Sequence, residues 1–237
     1  MPTASHRTVV YTAITDAYDD LKEQPHRRAN QAEFVAFLDE PRESQTWRTY
    51  PIHTAFADPT RNAKIHKILS HRYFPAADYT LWIDGSVTIR ADRPLQRLID
   101  TCLAECDVAV FRHRMRTCVY QEASVCVERQ LDDPEVIWQQ ICRYTAAGFP
   151  PNAGLGECCV ILRRHSPAVR AFNEAWWEEI AHGSRRDQLS FDYIASTLGL
   201  RYAVFDGTIA DNPWFRRAPH TVPRVVTVDA PPADAAQ

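Results

Sequence analysis

Glycine is scarce in this 237-residue chain: it has 7, where average usage of about 7% would supply roughly seventeen. Neither GxGxxG nor GxxxxGK followed by Ser or Thr occurs, so the usual glycine-rich phosphate cradles lack their sequence marks. No apolar run approaches the roughly 18 residues needed to span a bilayer. The opening MPTASHRTVVYTAI carries no apolar run before its first strand-like segment, so no signal peptide is read there. No CxxC pair exists among the 7 cysteines, and their number is odd. Reduced, mostly buried thiols in a cytoplasmic protein are the expectation. Excess charge of one sign is also lacking: the formal net charge is -3, which argues against a dedicated nucleic-acid binder.

What is present is an ordinary globular balance, 45% hydrophobic and 24% charged, enough to build a substantial core. Residues 8–15 and 33–39 read as buried strands. The polar stretch between them reads as a loop with room for a short helix. Asp58-Pro59 is a helix start, an N-cap acid followed by Pro in the first turn, and the helix should reach about His71. Residues 79–84 form a strand that 86–90 continues after Gly85. Pro94 opens a helix whose Leu95, Leu98, Ile99, Cys102, Leu103 and Cys106 make a core stripe.

A strand over 107–111 and helices over 118–130 and from Asp133 to about Gly148 follow. The strand 157–163 sets Cys158 and Cys159 on opposite faces. Helices begin at Ser166-Pro167 and at about 186–198, and the last strand is 201–205. Strands and helices alternate throughout, which predicts an α/β sandwich with a mainly parallel central sheet. One domain over 1–225 and a disordered tail over 226–237 are expected.

In such a sheet, ligands sit at the carboxyl ends of the strands. Asp84-Gly85-Ser86 follows the apolar run YTLWI, where an acid and a glycine admit close approach; Asp-Gly is equally a common turn. On the helix from Asp58, Lys64, Lys67 and His71 fall within roughly a 60° arc, with Arg61 further round. That face suits phosphates, or is simply a solvated basic face. Arg112 to Glu122 gathers three Arg and His113 within five positions, attractive to anions; the spacing of His113, Cys118 and Glu122 matches no zinc pattern. Asn152 to Glu157 holds two glycines before a strand, and Glu157 there is catalytic or merely paired. Asp187 and Gln188 either cap a helix or face a sugar and its acceptor.

Taken in order, His71–Pro75, Asp78–Ser86, the set His113, Arg116, Cys118, Tyr120 and Glu122, then Gly154-Leu155 and Arg186–Phe191 resemble the glycosyltransferase-like family known as domain of unknown function 616. The resemblance spans about residues 8–205. It implies a GT-A-like αβα sandwich that transfers a sugar from a nucleotide-sugar donor to a glycan, polysaccharide or small-molecule acceptor. The alternatives are a non-catalytic nucleotide-sugar-binding protein of the same fold and a sugar nucleotidyltransferase. It implies that Thr12, Thr15 and Asp39 line the nucleoside end, that Arg61 and Lys64 neutralise the diphosphate, and that Asp84, Gly85 and Ser86 adjoin ribose, diphosphate or metal. His113, Glu157, Asp187 and Gln188 would surround sugar and acceptor, with Asp187 and Glu157 as candidate bases. A divalent metal, Mn²⁺ or Mg²⁺, would sit on Asp84, with His220 as a late ligand. Ser86, however, stands where an Asp-x-Asp motif has its second acid, and a hydroxyl is a poor substitute for a carboxylate on such an ion.

Overall fold

The structure is a computed structural model, and it describes residues 6–25, 32–90 and 94–220. The expected tail at 226–237 lies outside the described residues. Seven strands form one sheet in the order β3-β2-β1-β4-β7-β6-β8. These are β1 (Thr8–Ile14), β2 (Glu33–Leu38), β3 (Arg48–Pro51), β4 (Tyr79–Ile83), β6 (Val108–Arg112), β7 (Gly156–Arg164) and β8 (Ala203–Val204). All neighbours pair parallel except β7, which runs antiparallel to both β4 and β6.

Strand alternation sorts the core into two layers. From β1, Val10 and Ile14 enter one layer, whereas Val9, Tyr11 and Ala13 enter the other. Cys158 and Cys159 divide in the same way, as expected from their adjacency. On the first face lies α3 (Leu95–Cys102), with Leu95, Leu98 and Ile99 buried. The second face is covered by α6 (Pro167–His182), α7 (Phe191–Thr197) and the apolar side of α1 (Pro59–Ile68). A third cluster joins α4 (Val119–Glu128) to α5 (Pro134–Ala146) through Ile137, Ile141 and Leu189. The α/β sandwich with a mainly parallel sheet is thus present.

Local departures have local causes. The helix from Asp58 is capped as its sequence dictates: the Asp58 carboxylate accepts from Thr60 N at 2.9 Å. It stops at Ile68 rather than His71, and a short α2 (Ser70–Tyr73) follows. An unbroken helix would use the Lys67 carbonyl for residue 71. Here that oxygen accepts instead from Tyr11 Oη at 2.8 Å and Arg163 Nη1 at 3.0 Å.

Residues 86–90 do not continue β4. The chain turns at Asp84, whose carbonyl accepts from Val87 N at 2.8 Å. Then β5 (Val87–Ile89) pairs antiparallel with β9 (Phe215–Arg217) in a separate small sheet. The helix expected over 186–198 is split into a 3-10 turn at Asp187–Leu189 and α7. Trp176 Nε1 donates to Asp187 O (3.3 Å) and to Ser190 Oγ (3.1 Å), which fixes that break. Cys106 lies beyond the end of α3, so the stripe is shorter than its periodicity suggests. No helix among residues 17–25 fills the first loop, and the strand expected over 201–205 is reduced to the two residues of β8.

Candidate active site

A cavity of about 550 Å³ opens where the strand carboxyl ends predict one. Because β7 is antiparallel, its first residues, Glu157 to Cys159, reach the same rim as the ends of β1 and β4. One wall is α1, from Asp58 to Thr60 and along Ala63, Lys64 and Lys67. Arg185 to Gln188 close the far side, and Arg217 and His220 come from the end of the described chain.

At the centre stands an ion cluster. Lys64 Nζ and Lys67 Nζ each lie 2.7 Å from Asp187 Oδ2, and Lys67 Nζ also lies 3.2 Å from Asp84 Oδ1. The same Asp84 oxygen accepts from Trp82 Nε1 at 2.7 Å, and the Lys67 ammonium sits 5.3 Å from the Trp82 ring centre. Burial alone would raise the Asp187 carboxyl, but the two ammoniums outweigh it and hold it far below the usual carboxylate range. For Lys67, burial opposes the charge, while Asp187 and Asp84 restore it and raise its pKa above the usual lysine value. Lys64 has less help: burial, with Lys67 beside it, brings it down to about 8 despite Asp187.

Glu157 is the opposite kind of carboxylate. Burial pushes its pKa up, and Arg217 Nη1, 3.7 Å from Oε1, compensates only in part. Its Oε2 is buried without a hydrogen-bond partner. Gln188 donates from Nε2 to Gly156 O at 3.4 Å, beside Glu157. The neighbours thus favour the charged form of Asp187, whereas burial favours the protonated form of Glu157.

Of the sequence-predicted site residues, Thr15, Lys64, Asp84, Gly85, Glu157, Asp187, Gln188 and His220 line this cavity. Thr15 Oγ1 donates to Pro59 O at 2.9 Å, tying the end of β1 to the start of α1. Gly85 is required by close approach: a Cβ there would meet Ile14 Cδ1 at 2.9 Å and Asp19 Cβ at 3.0 Å. The other five do not line it. Thr12 is buried in the sheet. Asp39 accepts from Asp16 N at 2.6 Å, holding the turn where Asp16 and Ala17 take φ of 55° and 46°. Arg61 donates to Gly183 O at 2.8 Å. Ser86 is 1% exposed, behind the strand end. His113 accepts from Arg116 N at Nδ1, 3.1 Å, and lies 4.0 Å from Glu122, which Arg116 Nε holds at 2.5 Å.

Sequence reasoning missed Tyr18, Asp19, Trp82 and Arg217 as cavity-lining residues. Arg217 belongs to β9, which the alternation of strands and helices did not reveal. Trp82 alone carried a signal, standing two residues before Asp84 in a strand and so on the same face.

The residues at the strand end do not fit the divalent metal that the family resemblance implies. A metal there needs convergent oxygen or nitrogen donors with free lone pairs. Asp84 Oδ1 already takes an ammonium and an indole N–H. The Ser86 hydroxyl does not reach the cavity. His220 Nδ1 lies 2.8 Å from Asp19 Oδ2, and its Nε2 is 3.5 Å from the Arg217 guanidinium.

A mainly parallel sheet with helices on both faces and a charged cavity at the strand carboxyl ends makes this an α/β protein with its candidate site at the strand ends. The family model described as TOD1/MUCI70, glycosyltransferase-like domain, matches residues 2–207, and the chain belongs to that family. A probable hexosyltransferase of Arabidopsis thaliana, MUCI70, is 31% identical over 222 residues, covering 81% of this chain and 38% of the plant protein. The alkaline ceramidase TOD1 of the same plant is 25% identical over 162 residues, covering 62% of this chain and 35% of its own. The chain thus spans well under half the length of either curated relative. Among solved structures, it is similar to a glycosyltransferase involved in glycosylation of the major capsid of PBCV-1. That likeness has a TM-score of 0.45 and 12% identity, covering 84% of this chain and 82% of the other. No helix among the described residues is long and apolar enough to cross a membrane.

Proposed function

We propose that this chain is a glycosyltransferase that moves a sugar, in the hexosyl or a related class, from a nucleotide-sugar donor to an acceptor hydroxyl of a glycan or polysaccharide. The narrower family label, domain of unknown function 616, and a cytoplasmic location belong to the same reading. The observation that carries it is the pair of ammoniums, Lys64 and Lys67, converging at 2.7 Å on one carboxylate oxygen at the strand ends. Two cations so placed suit a diphosphate, which gathers charge as it leaves.

The nucleoside then lies toward the turn at Thr15 to Asp19, and the sugar and acceptor toward Glu157, Gln188 and Arg217. In the transfer, the bond from the sugar anomeric carbon to the diphosphate oxygen breaks, and its electron pair stays on that oxygen. The acceptor oxygen forms the new bond to the same carbon, and its proton passes to Glu157. Burial raises the affinity of that carboxylate for a proton, and its Oε2 is unpartnered. Asp187, locked between two ammoniums, serves as an anchor for the lysines rather than as a base.

Thermal shift of the full chain with UDP-, GDP-, ADP- and CMP-sugars tests the reading. One donor class should stabilise the fold by about 2.7 kcal/mol at a concentration near 100 times its Kd. Turnover should follow with that donor and a glycan acceptor. The activity carried in the second relative's name makes ceramide hydrolysis the natural control, expected to be blank. No shift with any donor would defeat the proposal.

A further inference from the structure

Resting on the glycosyltransferase reading, we propose that the donor's diphosphate is held by the chain's own ammonium groups, Lys67 and Lys64, and that binding it requires no divalent cation. Lys67 Nζ lies 3.2 Å from Asp84 Oδ1, so that oxygen already carries a cation. The Lys67 side chain is 3% exposed and cannot swing into solvent without taking the ammonium from Asp84 and leaving Asp187 with Lys64 alone. It is also built in from behind. Tyr11 and the fully buried Arg163 both donate to the Lys67 carbonyl, at 2.8 and 3.0 Å, which fixes where the side chain leaves α1.

A divalent ion beside that ammonium would meet like charge at close range in a buried site, where screening is weak. Ser86 offers no second ligand, because its hydroxyl is buried away from the cavity. Conversely, the arrangement around Asp187 Oδ2 shows what the two lysines can do for an anionic oxygen. A phosphate oxygen beside that carboxylate oxygen would meet the same two ammonium charges at ion-pair distance. The monovalent cations are thus supplied by the fold in the role that a bound metal plays elsewhere.

The test is calorimetric titration of the full chain with UDP, GDP and ADP, once in EDTA and once with MnCl₂. The preferred nucleotide should bind in EDTA, and MnCl₂ should leave its Kd unchanged or weaken it, since Mn²⁺ carried by the free nucleotide is not taken up. Lys67→Met should weaken binding in EDTA by about tenfold or more, and Lys67→Arg should retain most of it, because the lost contact is charge-assisted. Should Lys67→Met fail to fold, the wild-type chain still decides the question by Mn²⁺ electron paramagnetic resonance. Chain plus nucleotide should capture no more Mn²⁺ than nucleotide alone. Binding that appears only with Mn²⁺, extra Mn²⁺ captured by the complex, or a folded Lys67→Met chain that binds like wild type would overturn this inference and leave the glycosyltransferase reading standing. If no nucleotide binds in either buffer, both fall.

Discussion

Asp187 and Glu157 show how two carboxylates lining one cavity are shifted in opposite directions by their neighbours. Both are buried enough to resist ionisation, and only the neighbours differ. Lys64 and Lys67 keep Asp187 charged, whereas Glu157 has Arg217 at 3.7 Å and a bare Oε2. Glu157→Gln should therefore lower kcat by about 10²–10⁴ while changing donor affinity little, as loss of a general base does. The wild-type rate should fall on the acid side as Glu157 protonates, above the usual glutamate range, and steady-state pH profiles of the two proteins check it. The identities of both carboxylates were visible in the sequence as candidate bases. Their ranking was not, because it depends on lysines brought over from another element.

At the scale of elements, α1 does most of the positioning. Its outward edge carries Lys64 and Lys67, and its inner edge buries His66 against Phe37 and Tyr73, with ring centres 4.0 and 4.2 Å away. His66 Nε2 accepts from His53 N at 3.2 Å. Burial, with His53 adding to it, pushes the His66 pKa down to about 3. An unfolded His takes its proton at about 6.5, so the unfolded state binds more protons between those values. The stability that His66 contributes is fully present above about pH 6.5 and is lost as pH falls toward 3. His66→Phe should keep the stack and take roughly one proton from the slope of stability against pH in that window. Urea unfolding at several pH values measures it, and an unchanged slope would refute the assignment. The cap at Asp58 and the start of this helix were legible from Asp-Pro alone. Its early end was not, because Tyr11 and Arg163, from two different strands, take the Lys67 carbonyl.

For the whole molecule, the second core layer links stability to the site. Trp176 is fully buried between Phe172 and Phe191, and its indole N–H holds the turn that presents Asp187. Trp176→Ala should cost about 3–5 kcal/mol, the range for a large aromatic deleted from a core. Chemical denaturation reads that loss. Donor binding by the fraction still folded should weaken as well, because the Asp187 turn loses its donor. A variant as stable as wild type would contradict the packing described.

The sequence by itself determined the alternation of strands and helices, the two-faced burial of β1 and β7, the helix start at Asp58 and the carboxyl-end placement of Asp84. Each of these follows from periodicity or from contacts within a few residues. Only the tertiary structure decided that β7 runs antiparallel and brings Glu157 to the rim. It alone placed Arg217 and His220 there through β9 and its C-terminal extension, turned Ser86 and Arg61 away from the cavity, and set Lys67 against Asp84 and Asp187. Those outcomes depend on which distant elements share one end of the sheet. Local spacing carries no record of that choice, because it is made by packing against the whole core.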